Sequence, residues 1–293
     1  MALILGAAIA IIFGNPHSEI TKKITPKLLA WSIVGLGAGM NLSVIAQVGL
    51  QGIGYTVIGI TITFLLGYLL SRFLKVEKDV SLLITIGTAI CGGSAIAALA
   101  PAIRAKSQDI SVALGTVFLL NAAALILFPW IGHQLSLSEA QFGLWAALAI
   151  HDTSSVVGAG LAYGNHALEV GTAVKLTRAL WIIPIVAFIS FVRARQQKSE
   201  ATTEKAKRPW FILGFILTAA LVTWIPELQS AGHVVEIVAK KALVLTLFLI
   251  GSNLTLKTLQ SVGIRPFILG LSLWFVMASG TLAAVYYSIV VHG

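Results

Sequence analysis

Long apolar runs separated by short polar connections fill this chain, and most runs have the length that crosses a bilayer. At about 20 apolar residues per crossing, ten spans are predicted: Ala2–Gly14, Leu28–Ile45, Gly52–Leu74, Val80–Ile103, Ile110–Ile131, Phe142–Tyr163, Ala167–Phe191, Trp210–Ile225, Val235–Leu254 and Pro266–Val290. The sixth is interrupted by five consecutive polar residues, His151-Asp152-Thr153-Ser154-Ser155. The seventh carries Lys175 and Arg178, three residues apart and so on one helix face. An ionisable group at the bilayer centre costs on the order of 3 kcal/mol, so such groups persist where they face a cavity, a partner or a solute. A charged site inside a membrane protein is the expectation.

The connections carry the basic residues. Lys22, Lys23 and Lys27 lie between spans one and two, Arg72, Lys75 and Lys78 between three and four, and Arg193, Arg195, Lys198, Lys205, Lys207 and Arg208 between seven and eight. Basic loops stay in the cytoplasm, which puts both termini on the far side of the membrane. Residues 196–208 are polar without apolar periodicity and predict a cytoplasmic linker. It divides residues 1–195, which hold the candidate site, from the spans of 209–293 within one integrated membrane domain.

Two internal echoes are visible. Gly37-Ala38-Gly39-Met40-Asn41-Leu42-Ser43 resembles Leu249-Ile250-Gly251-Ser252-Asn253-Leu254-Thr255, seven spans apart, and an odd separation inverts the copies, as in secondary transporters. Asn-Leu-Ser and Asn-Leu-Thr here are read as helix ends rather than glycosylation sites. The second echo pairs Ala89-Ile90-Cys91-Gly92-Gly93-Ser94-Ala95 with Ala149-Ile150-His151-Asp152-Thr153-Ser154-Ser155, followed by Gly115-Thr116 and Gly171-Thr172 with Pro129 and Pro184 beyond. Its separation is even, which conflicts with inversion if every span crosses.

Composition narrows the class. The chain is 57% hydrophobic and 11% charged, with mean hydropathy +0.93, far from the soluble range. It reads as an all-α polytopic membrane protein of about ten transmembrane helices. The net charge of +9 follows from the basic loops and does not point to nucleic acid. One cysteine, Cys91, offers neither a disulfide nor a multi-cysteine metal site, and the histidines form no ligand cluster, so no metal or cofactor is expected. Residues 1–13 lack a basic n-region and a small-residue cleavage site, so a removable signal peptide is not expected. No P-loop pattern occurs, which argues against ATP-driven transport by this chain.

Paired glycines weaken a helix by about 1 kcal/mol each, so Cys91-Gly92-Gly93-Ser94 predicts a break within span four. A half-helix starting at Ser94 would aim its positive end and free N–H groups at an anion, although small residues also serve close packing. Arg178 lies roughly 17 Å into its span and Lys175 roughly 12 Å. Against Asp152 they leave a positive surplus that an acidic solute would neutralise; the alternative is a structural bridge from Asp152 to either cation, with the remaining cation on backbone carbonyls. Thr153, Ser154 and Ser155 supply hydroxyls for an oxyanion or a helix cap, and Asn121 lines the same cavity or bonds a neighbouring helix. The candidate substrate ligands are therefore Cys91, Gly92, Gly93, Ser94, Asn121, Thr153, Ser154, Ser155, Lys175 and Arg178. His151 and Asp152 are the candidate proton-coupling pair, since imidazole titrates near neutral pH.

The set Ile90-Cys91-Gly92-Gly93-Ser94, His151-Asp152 leading to Val156-Val157-Gly158-Ala159-Gly160, Lys175, Arg178 and Arg208-Pro209-Trp210-Phe211 resembles the YeiH-like family of bacterial membrane proteins, from Ala2 to Val290. Members of that family carry a further apolar helix ahead of the one matching Ala2–Gly14. The resemblance implies the cation/proton antiporter and bile-acid symporter superfamily: two inverted five-helix halves, broken helices crossing at a central site, and a core domain sliding against a panel. It also implies the bacterial inner membrane, and the family's name implies sulfate export. The leading expectation is a secondary transporter of a small anion, not an enzyme, with the lipid bilayer, a coupling proton and a possible homo-oligomer as partners. The alternatives are a cation/proton antiporter using Asp152 and Lys175, and an intramembrane hydrolase using Ser94 and His151.

Overall fold

The computed structural model describes residues 2–196, 210–253 and 263–287; 87% of these described residues are helical and none is in a strand. The helices are α1 (Ala2–Phe13), α2 (Ser18–Gly37), α3 (Leu42–Leu74), α4 (Lys78–Ala89), α5 (Gly93–Ala102), α6 (Ser107–Gln134), α7 (Glu139–Ala149), α8 (Thr153–Tyr163), α9 (Asn165–Ala179), α10 (Ile182–Gln196), α11 (Trp210–Trp224), α12 (Gln229–Ser252) and α13 (Ile264–Tyr286). Among the described residues four segments are long and apolar enough to cross a membrane: Gly54–Leu74, Gln108–Gln134, Asn165–Arg193 and Ile264–Tyr286, with Phe211–Trp224 a shorter apolar helix. The expected linker, apart from Gln196, lies outside the described residues, as do Leu254 and Thr255 of the first echo. Two units divide the chain, Met1–Leu50 with Pro209–Lys257, and Gln51–Arg208 with Thr258–Gly293.

The first unit packs α12 against α1 and α2, and α2 against α11. Small residues set these contacts: Gly6 meets the backbone at Phe248, Gly35 meets Ala239, and Gly37 meets Phe215. Without a Cβ, helices approach closely enough for dispersion and hydrogen bonds to hold them where lipid gives no hydrophobic drive. One such bond joins Thr218 Oγ1 to the Val34 carbonyl, 2.7 Å away. The end of α2 lies against the start of α12, where Ala38 meets Gly232, while the end of α12 reaches the start of α2, where Asn253 meets Thr21. The two helices therefore run antiparallel. Asn41 ends one and caps the next, accepting from the Ser43 N–H at 2.8 Å.

The second unit departs from the expected crossings. Val80–Ile103 and Phe142–Tyr163 do not cross; each folds back on itself as a helical hairpin. In the first, α4 and α5 meet at the base, where Glu77 just before α4 pairs with Lys106 just after α5 at 3.8 Å. In the second, α7 and α8 meet at theirs, where the Phe142 and Tyr163 rings stack at 3.8 Å and the Tyr163 hydroxyl donates to the Leu137 carbonyl at 2.6 Å. Arms of 10 to 12 residues are about 15–18 Å long at 1.5 Å per residue, half the hydrocarbon thickness. Hydropathy does not register a chain reversal, because a hairpin of two short apolar arms contains as many apolar residues as one full span.

Local chemistry builds both hairpins. At the first tip Gly92 has φ +65, in the left-handed region that glycine adopts without strain, and its N–H closes α4 on the Gly87 carbonyl at 2.8 Å. The second starts at a capping box of Ser138 and Gln141 and turns at Ile150–Asp152, where Asp152 caps α8. The base of hairpin one also meets the end of α10, through an ion pair of Asp79 with Arg193. The base of hairpin two adjoins the start of α9, where the Glu139 carboxylate accepts from the His166 N–H at 2.7 Å. Thus α6 and the α9–α10 pair each connect one base to the other, and the hairpins enter this unit from opposite ends.

Candidate functional site

The two tips meet halfway along those connecting helices. A Cβ built on Gly92 would lie 2.9 Å from the Asp152 Cβ and 3.3 Å from its Cα, so glycine is what lets the reversals touch. Each reversal cuts a helix in two and frees carbonyls on one side and N–H groups on the other, which must be satisfied inside the membrane.

Arg178 and Lys175 satisfy the carbonyl ends. Arg178, 1% exposed, donates from Nε to Ala89 at 2.9 Å, from Nη2 to Ala89 at 2.6 Å and Thr88 at 3.0 Å, and from Nη1 to Ala147 at 3.2 Å and Leu148 at 2.5 Å. A guanidinium has five N–H donors, and these five bonds use them all. Lys175, fully buried, adds Nζ to Ile150 at 2.6 Å and Ala147 at 3.2 Å. Two cations thus close the last turns of α4 and α7, the favoured place for positive charge on a helix. The solute-facing orientation expected for these side chains is replaced by one facing main-chain carbonyls. No ion pair joins Asp152 to either cation among the described residues; all five N–H donors of Arg178 and two of the three of Lys175 are on carbonyls.

The N–H ends are treated unequally. At the second tip Asn121, from the middle of α6, accepts the His151 N–H at 3.1 Å and the Asp152 N–H at 3.4 Å. The Asp152 carboxylate then accepts the Ser155 N–H at 2.6 Å and the Ser154 hydroxyl at 2.9 Å. Thr153, Ser154 and Ser155 are buried in the first turn of α8, so its positive end is already neutralised. At the first tip α5 opens with Gly93 and Ser94, and Ser94 is exposed while Cys91 and Gly92 behind it are buried. The ring of His151 is 1% exposed, and among the described residues neither nitrogen has a hydrogen-bond partner; Asn121 Nδ2 and the hydroxyls of Thr88 and Thr172 have none there either. His151 and Ser94 therefore form no hydrogen bond, the contact a serine nucleophile with a histidine base requires.

The structure so gathers Gly92, Asn121, His151, Asp152, Lys175 and Arg178 at one locus with Ser94 at its accessible edge. Main-chain carbonyls, expected for one cation beside an Asp152 bridge, instead hold both Arg178 and Lys175. Sequence reasoning passed over Glu236 in the first unit, which pairs with Lys240 at 2.7 Å. The signal was present, since Glu236, Lys240 and Lys241 all fall inside the predicted span Val235–Leu254. Among the described residues no group of three acidic, histidine or cysteine side chains is placed to hold a metal ion.

Comparison with known proteins places the chain. Residues 1–270 match the family model described as conserved hypothetical protein 698. A UPF0324 membrane protein of Bdellovibrio bacteriovorus is 64% identical over 97% of this chain and 87% of the relative. Another from Bacteroides thetaiotaomicron is 48% identical, over 98% of this chain and 86% of the relative. A third, from Geobacter sulfurreducens, is 47% identical over 97% and 89%. No solved structure matches. With four apolar segments of membrane-crossing length and relatives of this similarity, the chain belongs to the UPF0324 membrane protein family, which is the YeiH-like family its motifs resemble.

Proposed function

We propose that this protein is a secondary transporter of a small anion, working by alternating access around the touching hairpin tips. The observation that carries the reading is the unequal treatment of helix ends. The C-terminal ends of α4 and α7 are saturated by Arg178 and Lys175, and the N-terminal end of α8 by Asp152. That leaves the N-terminal end of α5, at Gly93 and Ser94, as the accessible positive pole in a locus that already holds two cations against one carboxylate. Helix N-termini bind anions through backbone N–H groups and the macrodipole. The unpaired donors of Asn121 and of the Thr88 and Thr172 hydroxyls add places for a solute's oxygens. In this reading Arg178 and Lys175 raise the local potential and brace the tips without touching the solute, and Asp152 with His151 carries the coupling proton.

Hairpin one with α6, and hairpin two with α9–α10, are read as inverted copies. Each copy then contains a single crossing, which removes the parity conflict of the second echo. Within the first unit, the antiparallel α2 and α12, each followed by a matching asparagine, are read as an inverted pair of their own. Arg104 and Lys106 join Arg72, Lys75, Lys78 and Arg193 at the base of hairpin one, whereas residues 133–170 at the other end contain no Lys or Arg. By the positive-inside rule the base of hairpin one is cytoplasmic in the bacterial inner membrane.

A second reading, cation/proton antiport, is favoured by one observation: Asp152 is half-buried and has no cationic partner in an ion pair among the described residues. Flux in proteoliposomes separates the two. The anion reading predicts saturable oxyanion uptake driven by a pH gradient and lost in Ser94→Pro; sodium-driven proton movement with no anion flux would overturn it.

A further inference from the structure

The first unit contains two junctions of the same pattern, and only one is closed. After α12, Asn253 Oδ1 accepts from Thr21 Oγ1 at 2.7 Å and Asn15 Nδ2 at 3.3 Å, and Asn15 Nδ2 also reaches the Ser252 carbonyl at 2.9 Å. After α2, Asn41 turns to Ser43 instead, and beside it opens a cavity of about 300 Å³ walled by Gly39, Asn41, Thr223, Gln229, His233 and Glu236. That volume is at the small end of ligand pockets.

Glu236 sets the chemistry of this cavity. Its side chain is 16% exposed, and Lys240 Nζ lies 2.7 Å from Oε1. Oε2 faces His233 Nδ1 at 3.3 Å, on a side chain that is 71% exposed and free to turn outward. Gly39 makes room, since a Cβ there would collide with the carboxylate itself. One carboxylate oxygen is thus held by an ammonium, while the other faces the cavity behind a movable ring. The surroundings add negative potential: α2 and α11 both end at this junction, bringing the carbonyl poles of two helices. The opposing pole of α3 is muted, because Thr223 Oγ1 accepts the Leu42 N–H at 2.9 Å and Asn41 accepts that of Ser43.

We propose that this cavity binds a monovalent cation, an alkali ion or a primary ammonium, on Glu236 Oε2 in place of His233. Lys240 already shows the chemistry, holding an ammonium on the neighbouring oxygen. The site shares no residue with the hairpin tips and stands apart from the anion reading.

Melting of the full-length, detergent-purified protein at constant ionic strength, with choline chloride replaced stepwise by sodium, potassium or methylammonium chloride, tests it. The expected result is a saturable rise in melting temperature with at least one of the three. A response to sodium or potassium identifies an alkali ion, and a response to methylammonium alone identifies an ammonium. Glu236→Gln should raise the half-saturating concentration at least tenfold, and His233→Ala should leave it equal or lower. If Glu236→Gln does not fold, Gly39→Ala, whose methyl group takes the carboxylate's place, should show the same loss. Absence of a saturable response to all three cations, or an unchanged response in both variants, overturns the site. Exchanging chloride for sulfate in the same protein reads the anion site separately, so the two proposals fail independently.

Discussion

The two hairpin tips face the same problem and solve it with different residues. At the first, the chain reverses on glycine alone, Gly92 at φ +65, and the following half-helix opens on an accessible Ser94. At the second, the reversal is dressed with side chains: Asn121 takes two N–H groups and Asp152 caps α8 with its own carboxylate. Both carbonyl ends are bound by one arginine, with a lysine assisting the second. The difference teaches that the tips share their cationic brace but not their N-terminal caps. A carboxylate caps α8, whereas α5 has the Cys91 thiol on the Ala95 N–H. The end without a charged cap is where a solute can supply what the protein does not.

The largest expected effect comes from removing the brace. Arg178→Met strands the carbonyls of Thr88, Ala89 and Leu148 and leaves that of Ala147 to Lys175 alone, and each unsatisfied buried group costs about 1–3 kcal/mol. The variant should lose most of its folded population in detergent, seen as loss of the monodisperse size-exclusion peak. Arg178→Lys should retain part of it, with three donors in place of five.

Next, Gly92→Ala presses a methyl group onto Asp152 and places a side chain in the left-handed region, costing about 1–3 kcal/mol. A melting-temperature fall is expected, and Gly93→Ala, which meets only the Phe118 ring and a Leu114 methyl beyond 3 Å, should fall less. If the two variants fell equally, touching of the tips would not be what Gly92 provides.

A smaller effect is expected at the second tip. Asn121→Leu removes the acceptor for His151 and Asp152, about 1–2 kcal/mol, whereas Asn121→Asp keeps that acceptor and should melt above the leucine variant. Smallest in stability is Asp152→Asn, because asparagine caps helices about as well as aspartate. Its melting temperature should stay within about 2 °C on a cap difference of a few tenths of a kcal/mol, while proton-coupled flux falls at least tenfold.

Much of this was legible from the residues. The membrane class, the break at Cys91–Ser94 and the inward bias of Lys175 and Arg178 followed from hydropathy, glycine and the cost of buried charge. The reversals at Gly92 and Asp152 were not legible, because the length of an apolar run counts residues and ignores direction. Lys106 opposite Glu77, and Tyr163 against Phe142, are contacts that only the folded hairpins create. The role of Arg178 was half legible: its depth pointed to an interior partner, but its carbonyl partners lie on two other helices, far apart in sequence. Asn121 was legible as a mid-span amide with an interior partner, but not as the acceptor of the His151 and Asp152 N–H groups at the second tip.

The most direct test of the open α5 end uses the single native cysteine's position and its neighbour. In a Cys91→Ala background, Ser94→Cys is treated with a membrane-impermeant thiol reagent in the presence of sulfate, phosphate, chloride or sodium gluconate at equal ionic strength. The account predicts that the thiol reacts and that one of the small inorganic anions slows the reaction at least fivefold in a saturable way. Labelling that no anion slows, or that sodium alone protects, would contradict it.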